Sequence, residues 1–130
     1  MTAEEIVRES IEAFNAFDRE SVEKLLTPDF ELVSPMAEIR GGPYQGHAGA
    51  HQWVDDLEEN FDSLELTIDE ITPVRGDRFL VLGRARIEGR TSGLSYDQKF
   101  AWVTDLRDAR IRRVWLMFDQ DEARRLAPTL

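Results

Sequence analysis

"FLVLGRARIEGR", residues 79–90, is the stretch whose reading decides the fold. One parity gives Phe79, Val81, Gly83, Ala85 and Ile87; the other gives Leu80, Leu82, Arg84, Arg86 and Glu88. Successive side chains of a strand point to opposite faces, so a wholly apolar parity marks the face turned to the core. The same period of two begins earlier, in "LELTIDEI" at 64–71, and returns in "SYDQKFAWVTDL" at 95–106 and "RIRRVWLMF" at 110–118. Turn signals separate these runs: Arg75-Gly76-Asp77, Thr91-Ser92-Gly93 and Arg107-Asp108-Ala109. Long strands joined by such short turns predict an antiparallel meander.

Ahead of the strands the period is helical. Thr2-Ala3-Glu4-Glu5 reads as a capping box opening a helix in which Ile6, Val7, Ile11, Phe14 and Phe17 recur on one side. Asp18 caps a second short helix carrying Val22, Leu25 and Leu26, ended by Thr27-Pro28. "FELVS" (30–34) follows as a short strand, and "PMAEIRGGPYQGHAG" (35–49) reads as a loop on its two prolines and four glycines. "AHQWVDDLEENF" (50–61) restores helical spacing through Trp53, Leu57 and Phe61, and "DQDEARRLA" (119–127) makes a brief last helix. Helices first and sheet second predict an α+β class: a curved antiparallel sheet against about three N-terminal helices, with a short C-terminal helix.

At 130 residues, without repeat or linker, the chain reads as a single domain over 1–130. Sixteen basic against twenty-six acidic residues give a net charge of −10, which argues against nucleic acid or anionic membrane as a partner. The first ten residues are acidic where a secretory signal is basic and then apolar, and cysteine is absent. A cytoplasmic location is the resulting expectation.

The even positions Tyr96, Gln98, Phe100, Trp102 and Thr104 form the inner parity of their strand; Asp97, Lys99 and Asp105 lie on the outer one. Asp97 then suits a cross-strand pair with Arg84 or Arg86. The last strand is apolar on both sides, with Val114, Leu116 and Phe118 against Trp115 and Met117. Two covers suit the outer side: a second copy of the chain, or the aliphatic stems of arginines such as Arg84 or Arg113. Asp119 follows this strand, and Glu122 three residues on completes a capping box, so the acid reads as a helix cap rather than a catalytic group. His47 and His51 are the only histidines; their i, i+4 spacing serves a metal only with a third ligand from elsewhere, and no metal is expected. Gly41-Gly42-Pro43 lacks the lysine and spacing of a phosphate cradle, and Asp55, Asp56, Glu58 and Glu59 read as solvated helix surface.

Helix, short helix, strand, "GPYQGHAGAHQWVDDL" (42–57), then long strands closing on "DLRDARIRRVWLMFDQDEARRLA" (105–127): this arrangement resembles the nuclear transport factor 2-like superfamily, in its SnoaL-like or polyketide cyclase-like branch. The turn at Leu106–Ile111 matches the family pattern with Ala109 where glycine is usual. The resemblance implies a cone with an internal pocket and a homodimer through the outer sheet face, here Trp115 and Met117. It also implies an acid on the last strand in the cyclase and epoxide hydrolase branches, a position that falls on Leu116. The Arg and Asp of the hydrolases fall on Ala85 and Ile87. The pocket reading assigns Trp53, Ala85, Ile87, Gln98, Phe100, Trp102, Val114, Leu116 and Phe118 to ligand binding. It implies a small hydrophobic or aromatic ligand and no cofactor. The alternative is a cyclase, isomerase or epoxide hydrolase using acid–base groups in the same pocket, with His51 and Tyr44 as the weak catalytic candidates.

Overall fold

The structure, a computed structural model, describes residues 1–89 and 95–130, excepting the side chains of Met36 and Arg40. The turn expected at Thr91-Ser92-Gly93 lies outside the described residues. Among those described, helix α1 spans Ala3–Asn15 and α2 Arg19–Leu25, with Thr2 and Asp18 accepting from the backbone N–H groups of Glu5 and Ser21 at 3.2 Å each. Both caps satisfy donors that the first helical turn leaves free. Strand β1 spans Leu26–Val33, so Leu26 belongs to the strand and not to the preceding helix.

The stretch expected to be a loop is more ordered than its composition suggests. Pro35–Arg40 forms α3, Tyr44–Gln45 a two-residue strand β2, and Gly46–Asn60 the long helix α4. Proline and glycine here mark helix ends rather than a loop. Ser34 Oγ accepts from Ala37 N at 3.1 Å, Pro35 occupies the first turn, and Gly41 closes the helix at φ 105°. Proline fits a first turn because its missing N–H has no helical partner there, and glycine fits the left-handed position beyond the end.

Four long strands follow: β3 (Phe61–Arg75), β4 (Arg78–Gly89), β5 (Ser95–Arg107) and β6 (Arg110–Met117), then helix α5 (Gln120–Leu126). The sheet runs β2-β1-β6-β5-β4-β3. β3 to β6 pair antiparallel as the alternation predicts, whereas β1 joins β6 in parallel, which no local pattern signals. Register shifts interrupt β3 at Phe61/Ser63, Ile68/Glu70 and Pro73/Arg75. Each inserted residue bends its strand and increases the twist, which curves the sheet around the helices. Gly83 sits at the tightest approach: a Cβ there would lie 2.2 Å from Thr67 O and 2.8 Å from the Phe100 ring.

The inner face buries Val81, Ala85, Ile87, Phe100, Trp102 and Val114 against α1, α2 and α4. The outer face has its own smaller core. Leu80, Leu82, Ala101 and Val103 pack with Ala123 of α5 and Ala127 beyond it, with Trp115 and Met117 half-buried at the margin. The chain's own C-terminal helix therefore covers much of the outer face. Arg78 and Arg113 lie over the Trp115 ring at 4.9 and 5.4 Å, while Arg84 instead pairs with Asp69 at 3.0 Å. Among the described residues, no helix is long and apolar enough to cross a membrane.

Candidate functional site

Where the sheet curves away from the helices, a cavity of about 300 Å³ remains. Its floor comes from alternate residues of four strands: Leu64 and Leu66, Ala85 and Ile87, Phe100 and Trp102, and Leu116. The register explains the grouping, since Trp102 stands opposite Leu116 and Ala85 lies two residues from Phe100's partner Gly83 along β4. Phe14 of α1 and Trp53 and Leu57 of α4 close the far side. The ring centroids of Phe14 and Trp53 are 4.6 Å apart, edge to face, and that of Trp102 is 5.7 Å from Phe14. Three rings in mutual contact hold one another rigid, an arrangement favoured by the aromatic quadrupole.

α3 and the end of β6 form the mouth. Pro35, Ile39 and Phe118 line it, with Ile39 88 % and Phe118 48 % exposed. A shallower groove on the other side of the β6 end shares Ser34, Pro35, Leu116 and Phe118 with the cavity and includes Glu38, Asp119 and Glu122. Among the described lining residues, the side chains that carry a polar group are Ser34, Trp53 and Trp102. Ser34 Oγ already accepts from Ala37 N, which leaves its own proton to give. The Trp102 Nε1 is enclosed and has no hydrogen-bond partner among the described residues.

Of the residues assigned to the pocket from sequence, Trp53, Ala85, Ile87, Phe100, Trp102, Leu116 and Phe118 stand together in this wall. Gln98 and Val114 stand apart from it. Gln98 Nε2 donates to Lys99 O at 3.0 Å, and Val114 is wholly buried in the packed core. The sequence reading missed Ser34, Pro35 and Ile39, because it took Ser34 as the end of a strand and the residues after it as a loop, where Ser34 caps a helix. It also missed Phe14, Leu57, Leu64 and Leu66, although their spacing already placed them on inner faces.

The two weak catalytic candidates lie elsewhere. Tyr44 OH donates to Asp56 Oδ2 at 2.7 Å, while Gln52 Nε2 donates to Asp56 Oδ1 at the same distance. His51 Nε2 lies 3.0 Å from Glu23 Oε2, and His47 Nδ1 lies 3.3 Å from Glu23 Oε1. Glu23 of α2 thus ties both histidines of α4 to its neighbour; the described residues contain no group arranged to hold a metal ion. Asp119 Oδ1 accepts from Glu122 N at 3.0 Å, the cap geometry that its spacing predicts. The acidic face of α4 is not simply solvated: Asp55 and Glu58 both engage Arg19 of α2. Asp97 pairs with Arg86 at 3.5 Å rather than with Arg84.

A curved six-stranded sheet with helices in its hollow defines the nuclear transport factor 2-like class, and solved structures of that class superimpose on the chain. An NTF2-like protein of unknown function from Burkholderia pseudomallei is 29% identical, with TM-score 0.81 and 98% of each chain covered. TerC, crystallised with polyporic acid, is 24% identical with TM-score 0.79, again over 98% of each chain. IdmH from Streptomyces antibioticus, described as a candidate polyketide cyclase, is 20% identical with TM-score 0.79 over 93% of this chain and 94% of its own. The last two likenesses concern the fold alone. Residues 7–114 match the model of the SnoaL-like domain, and the chain belongs to that family. No curated protein matches the chain.

Proposed function

We propose that the chain binds a small, uncharged hydrophobic or aromatic molecule in the cavity between sheet and helices. One observation carries the reading: a hollow of about 300 Å³ whose wall is almost wholly hydrocarbon and aromatic. An apolar cavity of about 150 Å³ holds benzene, so this one has room for roughly two fused rings. Burial of the ligand's apolar surface would supply the affinity, and the three-ring cluster keeps the wall in place before binding. That TerC, a protein of like fold, was crystallised with polyporic acid supports a small-molecule role without naming this chain's ligand.

A cyclase, isomerase or epoxide hydrolase reaction in the same place would require a group able to move a proton within reach of the ligand. By the family resemblance, the position of such an acid falls on Leu116. Asp119 lies just outside, at the mouth, with an oxygen committed to the α5 cap. Binding without turnover is therefore the reading favoured by this wall.

Tetralin, a bicyclic hydrocarbon, provides the test. At ten times its dissociation constant it adds about 1.4 kcal/mol to the folded state, a rise of roughly 5 °C in melting temperature for a domain of this size. Leu116→Trp fills the hollow opposite Trp102 and should abolish that rise while the unliganded variant still melts cooperatively. No rise in the wild type at saturating tetralin, or an equal rise in Leu116→Trp, would refute binding at this place.

A further inference from the structure

We infer that the groove beside the cavity mouth is completed by a second copy of the chain, whose Arg125 enters it and pairs with Glu122 across a two-fold axis. The inference does not depend on what the cavity binds. The groove, of about 270 Å³, is lined by Trp115, Met117 and Phe118 together with the carboxylates of Glu38, Asp119 and Glu122, with no cation among its described lining residues. Elsewhere on the sheet, acids stand against arginines: Asp29, Glu31, Asp69, Asp97 and Asp105 each have one within 3.5 Å. In the groove, Glu122 has Arg125 of its own helix no nearer than 4.0 Å, and Glu38 has no ion-pair partner among the described residues. Three such carboxylates repel one another and attract a positive group.

The charge pattern of α5 supplies that group. The helix carries Asp121 and Glu122 in its first turn and Arg124 and Arg125 in its last. Arg124 is committed to Glu70 at 3.0 Å, whereas the Arg125 side chain is 71 % exposed. Glu122 and Arg125, three residues apart, lie on the same side of the helix. That side is complementary to itself turned end for end. Two α5 helices packed antiparallel set each Glu122 against the other's Arg125, the reciprocal contact that a two-fold interface requires. A small cation would satisfy the groove but leave Arg125 unpaired and the half-buried Trp115 and Met117 facing water. A second copy accounts for all of them, with the aliphatic stem of its Arg125 lying along the apolar side chains. Because α5 covers much of the outer face, the contact runs through this helix rather than through bare sheet. Ser34, Pro35, Leu116 and Phe118 belong to groove and cavity alike, so the second copy forms part of the cavity's entrance.

The experiment exchanges the charges. Glu122→Arg makes both positions on that side positive, and Arg125→Glu makes both negative. Each variant alone should raise the dimer dissociation constant roughly a hundredfold, because like charges then meet at both pairs. Mixed in equal amounts, the two variants should associate again, as a heterodimer in native mass spectra, since every positive side chain now faces a negative one. A gentler variant, Arg125→Lys, decides the question if circular dichroism shows that a charge exchange disturbs the fold. In it, a carbodiimide should join residue 125 of one chain to Glu122, Asp119 or Glu38 of another, identified by peptide mapping of the linked dimer. A wild type that stays monomeric at high concentration, single variants that still dimerise, or folded monomeric variants that form no heterodimer would each overturn the inference. So would linked dimers of Arg125→Lys joined only at other residues. Tetralin binding is read separately, so the binding function stands or falls apart from this contact.

Discussion

Asp119 shows how far a single residue can be read from sequence. An acid at the mouth of an apolar strand invites a catalytic role, but a glutamate three residues on makes the cap the simpler reading, and the backbone N–H of Glu122 is where that cap points. Replacing Asp119 by Ala should cost about 1 kcal/mol of stability in chemical denaturation and leave tetralin affinity within about twofold. Ala109 offers the opposite case. It and Asp108 form the two-residue turn between Arg107 and Arg110 with φ of 62° and 52°. Left-handed backbone strains any residue with a Cβ, and the family's usual glycine would not feel it. Ala109→Gly should therefore raise stability by about 1 kcal/mol, read as a higher melting temperature. Both positions were legible because turn and cap chemistry is local. Tyr44 and His51 were not, because their partners, Asp56 and Glu23, depend on how helices meet, which spacing within one segment does not encode.

At the scale of elements, the alternation of β3 to β6 was plain, and the pieces it missed have physical reasons. α3 is only six residues long, opens on proline and is closed by the glycine after it, so no apolar period could reveal it; its cap and stop residues could have. The edge of β3 is sealed by a side chain: Asn15 at the end of α1 donates to Leu66 O at 3.0 Å and accepts from Leu66 N at 2.7 Å. That contact stands in for a neighbouring strand and shields an open edge. The helix over the outer face is fastened similarly, with Arg124 of α5 3.0 Å from Glu70, and Arg78 donating at 2.9 Å to Ala127 O. The parallel join of β1 and β6 is reinforced by Asp29, which pairs with Arg107 and Arg112. Hydrogen bonds from Arg107, with Arg112 adding its charge, hold the Asp29 carboxyl down at about 2. A lowered acid stabilises the fold above its unfolded value of 3.8 and loses that contribution as pH falls through about 2. The difference in melting temperature between the wild type and Asp29→Asn should thus be steady above about pH 5 and close as the pH drops from about 4 toward 2.

At the scale of the whole molecule, the sequence carried the class of fold and the apolar character of the inner face, but not the hollow itself. Whether inward-facing residues meet or stand apart depends on sheet curvature, and that comes from bulges in β3 that no residue pattern announces. The outer face was half read. Its apolar residues needed a cover, and α5 supplies much of it, leaving Trp115 and Met117 half-buried. We propose that a second copy covers the remainder. Sedimentation should give twice the 15.0 kDa chain mass for the wild type and the single mass for Trp115→Glu; a single mass for both at high concentration would exclude the dimer. The most direct measurement of the cavity's role is a crystal of the protein grown with 6-bromo-1-tetralone and phased on bromine. Anomalous density should appear between Trp102, Leu116 and Trp53, inside the wall. Density only on the surface, or none at saturating ligand with the hollow collapsed, would contradict an open apolar binding site at the centre of this fold.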